Sequence, residues 1–319
     1  MNEFDIINKY LKPLIKKDSG ALDLSDDIYY DFRKKIAISV DTYVHGIHFL
    51  ESSKPKYFIK KILRASLSDL YCKGIKPQKY FLSFSLNKKL INEKWLKQVK
   101  NILKSENKKF NINLAGGDTS YSKNFVVTIV TLGDCKHKPV FRHRSKLNDD
   151  IYVTGNIGDS YLGLRVLKNK NNFGKLNSFF KKKYYEPDLK VNLSPYLHKF
   201  ATSSIDISDG IIQDLKQMCL KLKFGAFINV NSIPISQSCK LLINKKKILL
   251  KDIFSNGDDY QIMFTSSLKN RSLISNISKK TKTKITRVGF IKSDKNIFLQ
   301  YNNKELKINS KKMGYIHTF

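Results

Sequence analysis

Acids are scarce in this chain, and several of them border apolar runs, where the backbone trajectory is fixed. Asp26-Asp27 precedes Ile28, Asp41 ends the run Ile36-Ala37-Ile38-Ser39-Val40, and Asp118 follows Leu114-Ala115-Gly116-Gly117. Asp206 and Asp209 bracket Ile207-Ser208 ahead of Gly210, and Asp69 stands beside Ser66 and Ser68 in a stretch of helical periodicity. A strand end holds a side chain in one geometry, as a metal or phosphate site requires. Taken singly, each acid also suits an N-cap or a turn, and Asp209 could simply cap the helix that follows it. Gathered in one cleft, they would repel one another without cations among them. Hard carboxylate oxygens without His or Cys partners point to magnesium, which binds through a few carboxylates plus substrate phosphates. Magnesium-nucleotide chemistry is therefore the expectation.

The common nucleotide signatures are missing: there is no GxxxxGK[ST], no GxGxxG opening a helix after a strand, and no HRD or DFG set. Gly116-Gly117-Asp118-Thr119 reads as a turn small enough for backbone N–H groups to approach a phosphate, with Asp118 placed for the accompanying metal.

The elements that must position these acids are legible as apolar segments rich in β-branched and aromatic residues. Strands are predicted over 36–40, 80–86, 125–133, 151–154, 203–207, 226–230, 260–265, 285–291 and 297–301. Two helical stripes lie between them: Ile59, Ile62, Leu63, Leu67, Leu70, and Ile211, Ile212, Leu215, Met218, Cys219, Leu222. The polar, basic stretch Lys136 to Asp150 divides the chain, giving domains of 1–145 and 146–319. Lys168 to Lys183, rich in Lys and Asn, reads as a helix connection with exposed faces.

With 319 residues, 41% of them hydrophobic, the chain has enough apolar material for about two folded domains, which excludes disorder as its main state. No apolar run approaches the ~18–20 residues of a membrane span, and the first residues lack a signal-peptide pattern, so a cytoplasmic protein is expected. Four scattered cysteines at no zinc spacing read as reduced thiols. The net charge of +32 would ordinarily suggest nucleic acid. Only seven of the 59 basic residues are Arg, however, and the Lys excess travels with Asn and Ile, all three favoured by A/T-rich codons. Codon bias explains the charge, and the residue suited to bidentate base and phosphate contacts is scarce.

Read in order, the segments resemble the thiamine-monophosphate kinases of the aminoimidazole ribonucleotide synthetase superfamily. The motifs are Ser25-Asp26-Asp27, Ile38-Ser39-Val40-Asp41-Thr42 with Gly46-Ile47-His48-Phe49, Leu67-Ser68-Asp69-Leu70 with Gly74, and Ala115-Gly116-Gly117-Asp118-Thr119. Ile151-Tyr152-Val153-Thr154-Gly155, Ile205-Asp206-Ile207-Ser208-Asp209-Gly210, Asn256-Gly257-Asp258-Asp259-Tyr260 and Gly314-Tyr315 follow. The resemblance implies several magnesium ions held by Asp27, Ser39, Val40, Asp41, Asp69, Asp118, Asp206 and Asp209. It implies ATP contacts at Gly117, Asp118, Arg142 and Ser208, and thiamine monophosphate contacts at His48, Asp258 and Tyr315. Arg142 is preferred to Arg144 by counting back from the strand at Ile151. The implied fold is α/β and α+β: an N-terminal domain that forms a β-barrel with its copy in a homodimer, and a C-terminal α+β domain closing the nucleotide cleft. Four positions depart from the family pattern: Ser25, Val40, Asn256 and Asp258, the last replacing a Glu and shortening reach by one methylene.

Two rivals differ in class. A nucleic-acid binder predicts steep salt-dependent affinity and no nucleotide turnover. A protein that only retains thiamine phosphates predicts ligand stabilisation without product.

Overall fold

In a computed structural model, residues 1–50, 53–88, 91–306 and 314–315 are described. The first half of the chain runs α1 (Glu3–Ile6), β1 (Tyr29–Asp31), β2 (Ile36–Val44), α2 (Pro55–Cys72), β3 (Lys79–Leu86), α3 (Glu93–Phe110), β4 (Asn113–Tyr121) and β5 (Val126–Asp134). Its strands make one sheet in the order β1-β2-β5-β3-β4. The second half begins with β6 (Asp150–Thr154), α4 (Asp159–Leu167), α5 (Asn177–Tyr185), β7 (Ala201–Ile207), α6 (Ile211–Cys219) and β8 (Gly225–Asn229). It continues with α7 (Gln237–Asn244), α8 (Leu250–Phe254), β9 (Gln261–Ser266), α9 (Arg271–Thr281), β10 (Ile285–Lys292), β11 (Ile297–Tyr301) and β12 (Lys304–Glu305). These strands form a second sheet, β12-β11-β8-β10-β6-β9-β7. The architecture is mixed α/β, with both sheets open. Among the described residues no closed barrel forms.

All nine predicted strands are present. The Gly116–Thr119 segment differs from its reading as a turn: it lies inside β4, parallel to β3 and joined to it through α3. A crossover helix is what a parallel neighbour requires. Gly117 has φ +153°, and a Cβ there would stand 1.9 Å from the Leu82 carbonyl oxygen, so its missing side chain lets β4 close on β3.

Helix α2 packs against β2 and β5 of the first sheet and against β7 and β9 of the second. Most of its residues are buried, including Lys61 and Arg64. Pro55 opens it, where a missing N–H costs nothing. It ends in paired bonds, Ile75 N–H to the Leu70 carbonyl (3.0 Å) and Gly74 N–H to that of Tyr71 (3.1 Å), with Gly74 at φ +81°.

Two polar stretches are more deeply packed than their composition suggests. The strap 136–150 buries Val140, Phe141 and Asp150, and it stitches the halves together instead of merely linking them: Val140 N–H donates to the Lys73 carbonyl, and the Ser204 hydroxyl to that of Val140. Between Lys168 and Lys183, Phe173 and Phe180 enter the second core.

Candidate metal and nucleotide site

Three carboxylates from separate elements converge at the contact between the halves. Asp27 comes from the loop before β1, Asp69 from α2 and Asp206 from β7, and one oxygen of each lies within 4.8 Å of the others. The register of β2 adds two residues. Ala37, Ser39 and Tyr43 turn inward in alternation, so Asp41 shares their face, while the Val40 side chain is 63% exposed on the opposite one. Only the backbone of Val40 can serve this cluster, so a Val at this position leaves the inner face unchanged.

Hydroxyls orient the carboxylates. Ser39 donates to Asp69, and Ser68 to Asp206 at 2.5 Å. Tyr43 and Ser66, whose hydroxyls lie 2.9 Å apart, hydrogen-bond to Asp41 and favour its charged form. Burial outweighs this help: Asp41 is pushed up to about 6, with Asp27 adding repulsion. Burial, then the charge of Asp27, lifts Asp206 to about 7, and burial together with Glu3 does the same for Asp209. Asp69 rises well above the carboxylate range through burial and three acidic neighbours, Asp41, Asp206 and Asp27. Asp27 alone goes down, to about 2, because Arg142 and Lys73 beside it more than offset its burial. A half-buried to buried set of oxygen donors with more negative than positive charge is what a hard divalent cation fits.

Arg142, and not Arg144, faces this cluster. Its guanidinium contacts Asp27, and its backbone N–H donates to Asp26 at 2.7 Å. Arg144 lies over the Phe141 ring.

A second wall comes from two adjoining loops. Gly257 rests against the Ser208 carbonyl, where a Cβ would stand 1.8 Å from the oxygen. Asp258 N–H donates to that carbonyl (2.7 Å) and Tyr260 N–H to that of Ile207 (2.8 Å). Asp258 and Tyr260 both have positive φ, 71° and 50°, strain of the kind that collects at functional sites. Tyr315 N–H donates to the Asp209 carbonyl at 3.2 Å, bringing the C-terminal motif to the same wall. His48, in the turn after β2, accepts from Val44 N–H at 3.0 Å and meets the Tyr43 ring edge-on. Asp209 does not cap α6, whose N-cap is Gly210 without a side-chain cap bond; Asp214, in the first turn, reaches back and accepts from the N–H groups of Asp209 and Gly210.

Gly117 and Asp118 are not brought to the cluster within this chain. Asp41 pairs with Ile129, Ile129 with Leu82, and Leu82 with Gly117, so three strand spacings of about 4.8 Å each separate them. Asp118 stands instead on the exposed edge strand β4.

Sequence reasoning missed two buried lysines. Lys61 reaches Asp258 at 2.8 Å with its ammonium 3.6 Å over the Tyr184 ring, and Lys73 binds Asp26 and Asp27. The available signal for Lys61 was its place three residues after Phe58 and four before Ala65, on an apolar face.

Comparison with known proteins follows the same lines. Residues 17–135 match the family described as AIR synthase related protein, N-terminal domain. The chain is 37% identical to the thiamine-monophosphate kinase of Buchnera aphidicola subsp. Schizaphis graminum, over 99% of this chain and 98% of that one. Against the enzyme of the same name from Buchnera aphidicola subsp. Acyrthosiphon pisum the identity is 35%, with the same coverage. Among solved structures, AaThiL complexed with AMPPCP and TMP superposes with a TM-score of 0.85 at 22% identity, covering 99% of this chain and 97% of that one. At that identity the likeness establishes the fold.

Proposed function

The chain belongs to the thiamine-monophosphate kinase family, and from that membership we propose that it transfers the γ-phosphoryl group of Mg-ATP to thiamine monophosphate, giving thiamine diphosphate and ADP, the final step of thiamine diphosphate biosynthesis. The observation that carries the magnesium part is the convergence of Asp27, Asp69 and Asp206 within 4.8 Å. Asp41 and Asp209 extend the ligand set, with Ser39 and the Val40 backbone at its edge. Bound magnesium would supply charge neutralisation for the aspartates and for the transferring phosphoryl group.

The acceptor is a phosphate monoester, already an oxyanion near neutral pH, so the chain needs no strong general base. Its work is to hold two anions in line and shield their repulsion, and positioning and electrostatics supply most of the rate in such transfers. Arg142 provides a fixed positive charge for the ATP phosphates, and Ser208 is the further ATP contact in this reading. Ser39 and Ser68 fix the carboxylate rotamers. His48, Asp258 and Tyr315 flank the acceptor, with Lys61 holding Asp258 in place.

Residues 1–145 and 146–319 act in this reading as two domains closing on the nucleotide, in a cytoplasmic homodimer. Beside β4, which is exposed along its whole length, runs an apolar groove of about 590 Å³ lined by Leu82, Phe84, Leu96, Val99, Leu103 and Leu114. A second copy of the chain is the occupant that fits, because the family places Gly117 and Asp118 in the ATP site and only a partner's β4 can deliver them there. The test is Asp41→Asn: turnover is lost while the fold, followed by circular dichroism, is unchanged. Normal turnover in that variant would remove Asp41 from the metal site.

A further inference from the structure

Lys73 follows α2 directly, where the helix dipole favours a cation, and its side chain is fully buried. Its ammonium has three hydrogens and three acceptors: Asp26 Oδ1 at 2.9 Å, Asp27 Oδ2 at 2.6 Å and the Ser204 carbonyl at 2.6 Å. This is the coordination of a bound ion, supplied by the chain itself. The other oxygen of Asp27 meets Arg142, so Asp27 is clamped between two cations while still facing Asp69 and Asp206. Among the described residues no other aspartate of the cluster is bonded by two cations; hydroxyls orient Asp69 and Asp206.

Resting on the metal-site reading above, we infer that Lys73 is a resident cation of that site: it occupies the place between Asp26 and Asp27 that an additional divalent ion would otherwise fill, and it positions Asp27 for the ions that do bind. The chain thereby needs fewer exchangeable ions to offset the same carboxylates. Lys73 is a positioning residue and touches no reacting atom.

The experiment is nucleotide-free Mn²⁺ binding to the full-length protein at pH 7.5. Calorimetry gives affinity, and electron paramagnetic resonance of unbound Mn²⁺ gives stoichiometry. Lys73→Met keeps the length and removes the charge; it binds one more Mn²⁺ per chain, or binds at least tenfold more tightly. Lys73→Arg keeps the charge and matches the native protein. Asp26→Asn, which leaves Asp27, Asp69 and Asp206 in place, binds Mn²⁺ about tenfold more weakly because Asp27 is then the one carboxylate left to neutralise Lys73, beside the Ser204 carbonyl. It also decides the matter if Lys73→Met fails to fold. Unchanged Mn²⁺ binding in the folded variants would overturn the inference and leave Lys73 as a packing cation, with the metal site intact. No Mn²⁺ binding by the native protein would overturn the site and the inference together.

Discussion

Replacing Asp69 with Asn tests the electrostatics of the site most severely, because it predicts a gain and a loss in one variant. With cluster oxygens within 4.8 Å and an effective dielectric near 20, each pair of full charges repels by about 3.5 kcal/mol. Lys73 and Arg142 offset Asp27, and Asp69 escapes part of the rest by holding its proton, so a net gain of about 1–3 kcal/mol is expected in the metal-free protein. Ser39 can donate to the Asn oxygen as it does to the Asp carboxylate, so its hydrogen bond is kept. For a chain of this size the gain corresponds to a rise in Tm of about 1.5–4.5 °C at pH 8. Because the folded-state pKa of Asp69 is raised, the native protein holds this proton more tightly than the unfolded chain does. The cost of burying Asp69 is therefore absent at acid pH and grows as pH rises, so the gain shrinks towards zero near pH 4. Thiamine diphosphate formation should fall by 100-fold or more, and magnesium should no longer raise the Tm. Differential scanning fluorimetry with and without Mg²⁺ reads both. A metal-free Asp69→Asn protein less stable than native at pH 8, or turnover within tenfold of native, would refute the reasoning.

The same linkage gives a pH dependence for the native protein. Asp41 at about 6 and Asp206 and Asp209 at about 7, raised mainly by burial, contribute stability fully present below the unfolded value near 4 and lost as pH rises through those values. Magnesium displaces these protons, so its stabilisation should grow from pH 5.5 to 8; a magnesium shift in Tm that is flat across that range contradicts the assignment. Lys61→Met should leave Asp258 without its cation and raise KM for thiamine monophosphate about tenfold, with the KM for ATP nearly unchanged. Equal KM values for native and variant in steady-state kinetics would show that the Lys61–Asp258 pair does not shape the acceptor pocket.

Much of the acid cluster was legible because acids beside apolar runs in an acid-poor chain are conspicuous, and Asp69 lies in the expected helix; the strand-end reading of Asp41 was not met, since β2 runs on to Val44 and holds Asp41 inside it, as β7 holds Asp206, while Asp209 stands just beyond β7. What was not legible depends on long-range contacts. Gly116-Gly117-Asp118-Thr119 has turn-like composition and became a strand only because β3 lies beside it. Lys61 and Lys73 looked like members of a lysine-rich background, and only Asp258, Asp26 and Asp27, distant in sequence, single them out. The strap at 136–150 read as a separator because its buried residues are spread among lysines. Asp118 was recognisable as a motif residue, but its distance from Asp41 follows from strand order, which the motif does not encode.

The central claim is tested most directly by incubating purified protein with ATP, Mg²⁺ and thiamine monophosphate and assaying thiamine diphosphate and ADP, with Mg²⁺ omitted as the control. Stoichiometric, magnesium-dependent formation of both products is the predicted result. ADP without thiamine diphosphate, or equal product without the metal, would contradict the account.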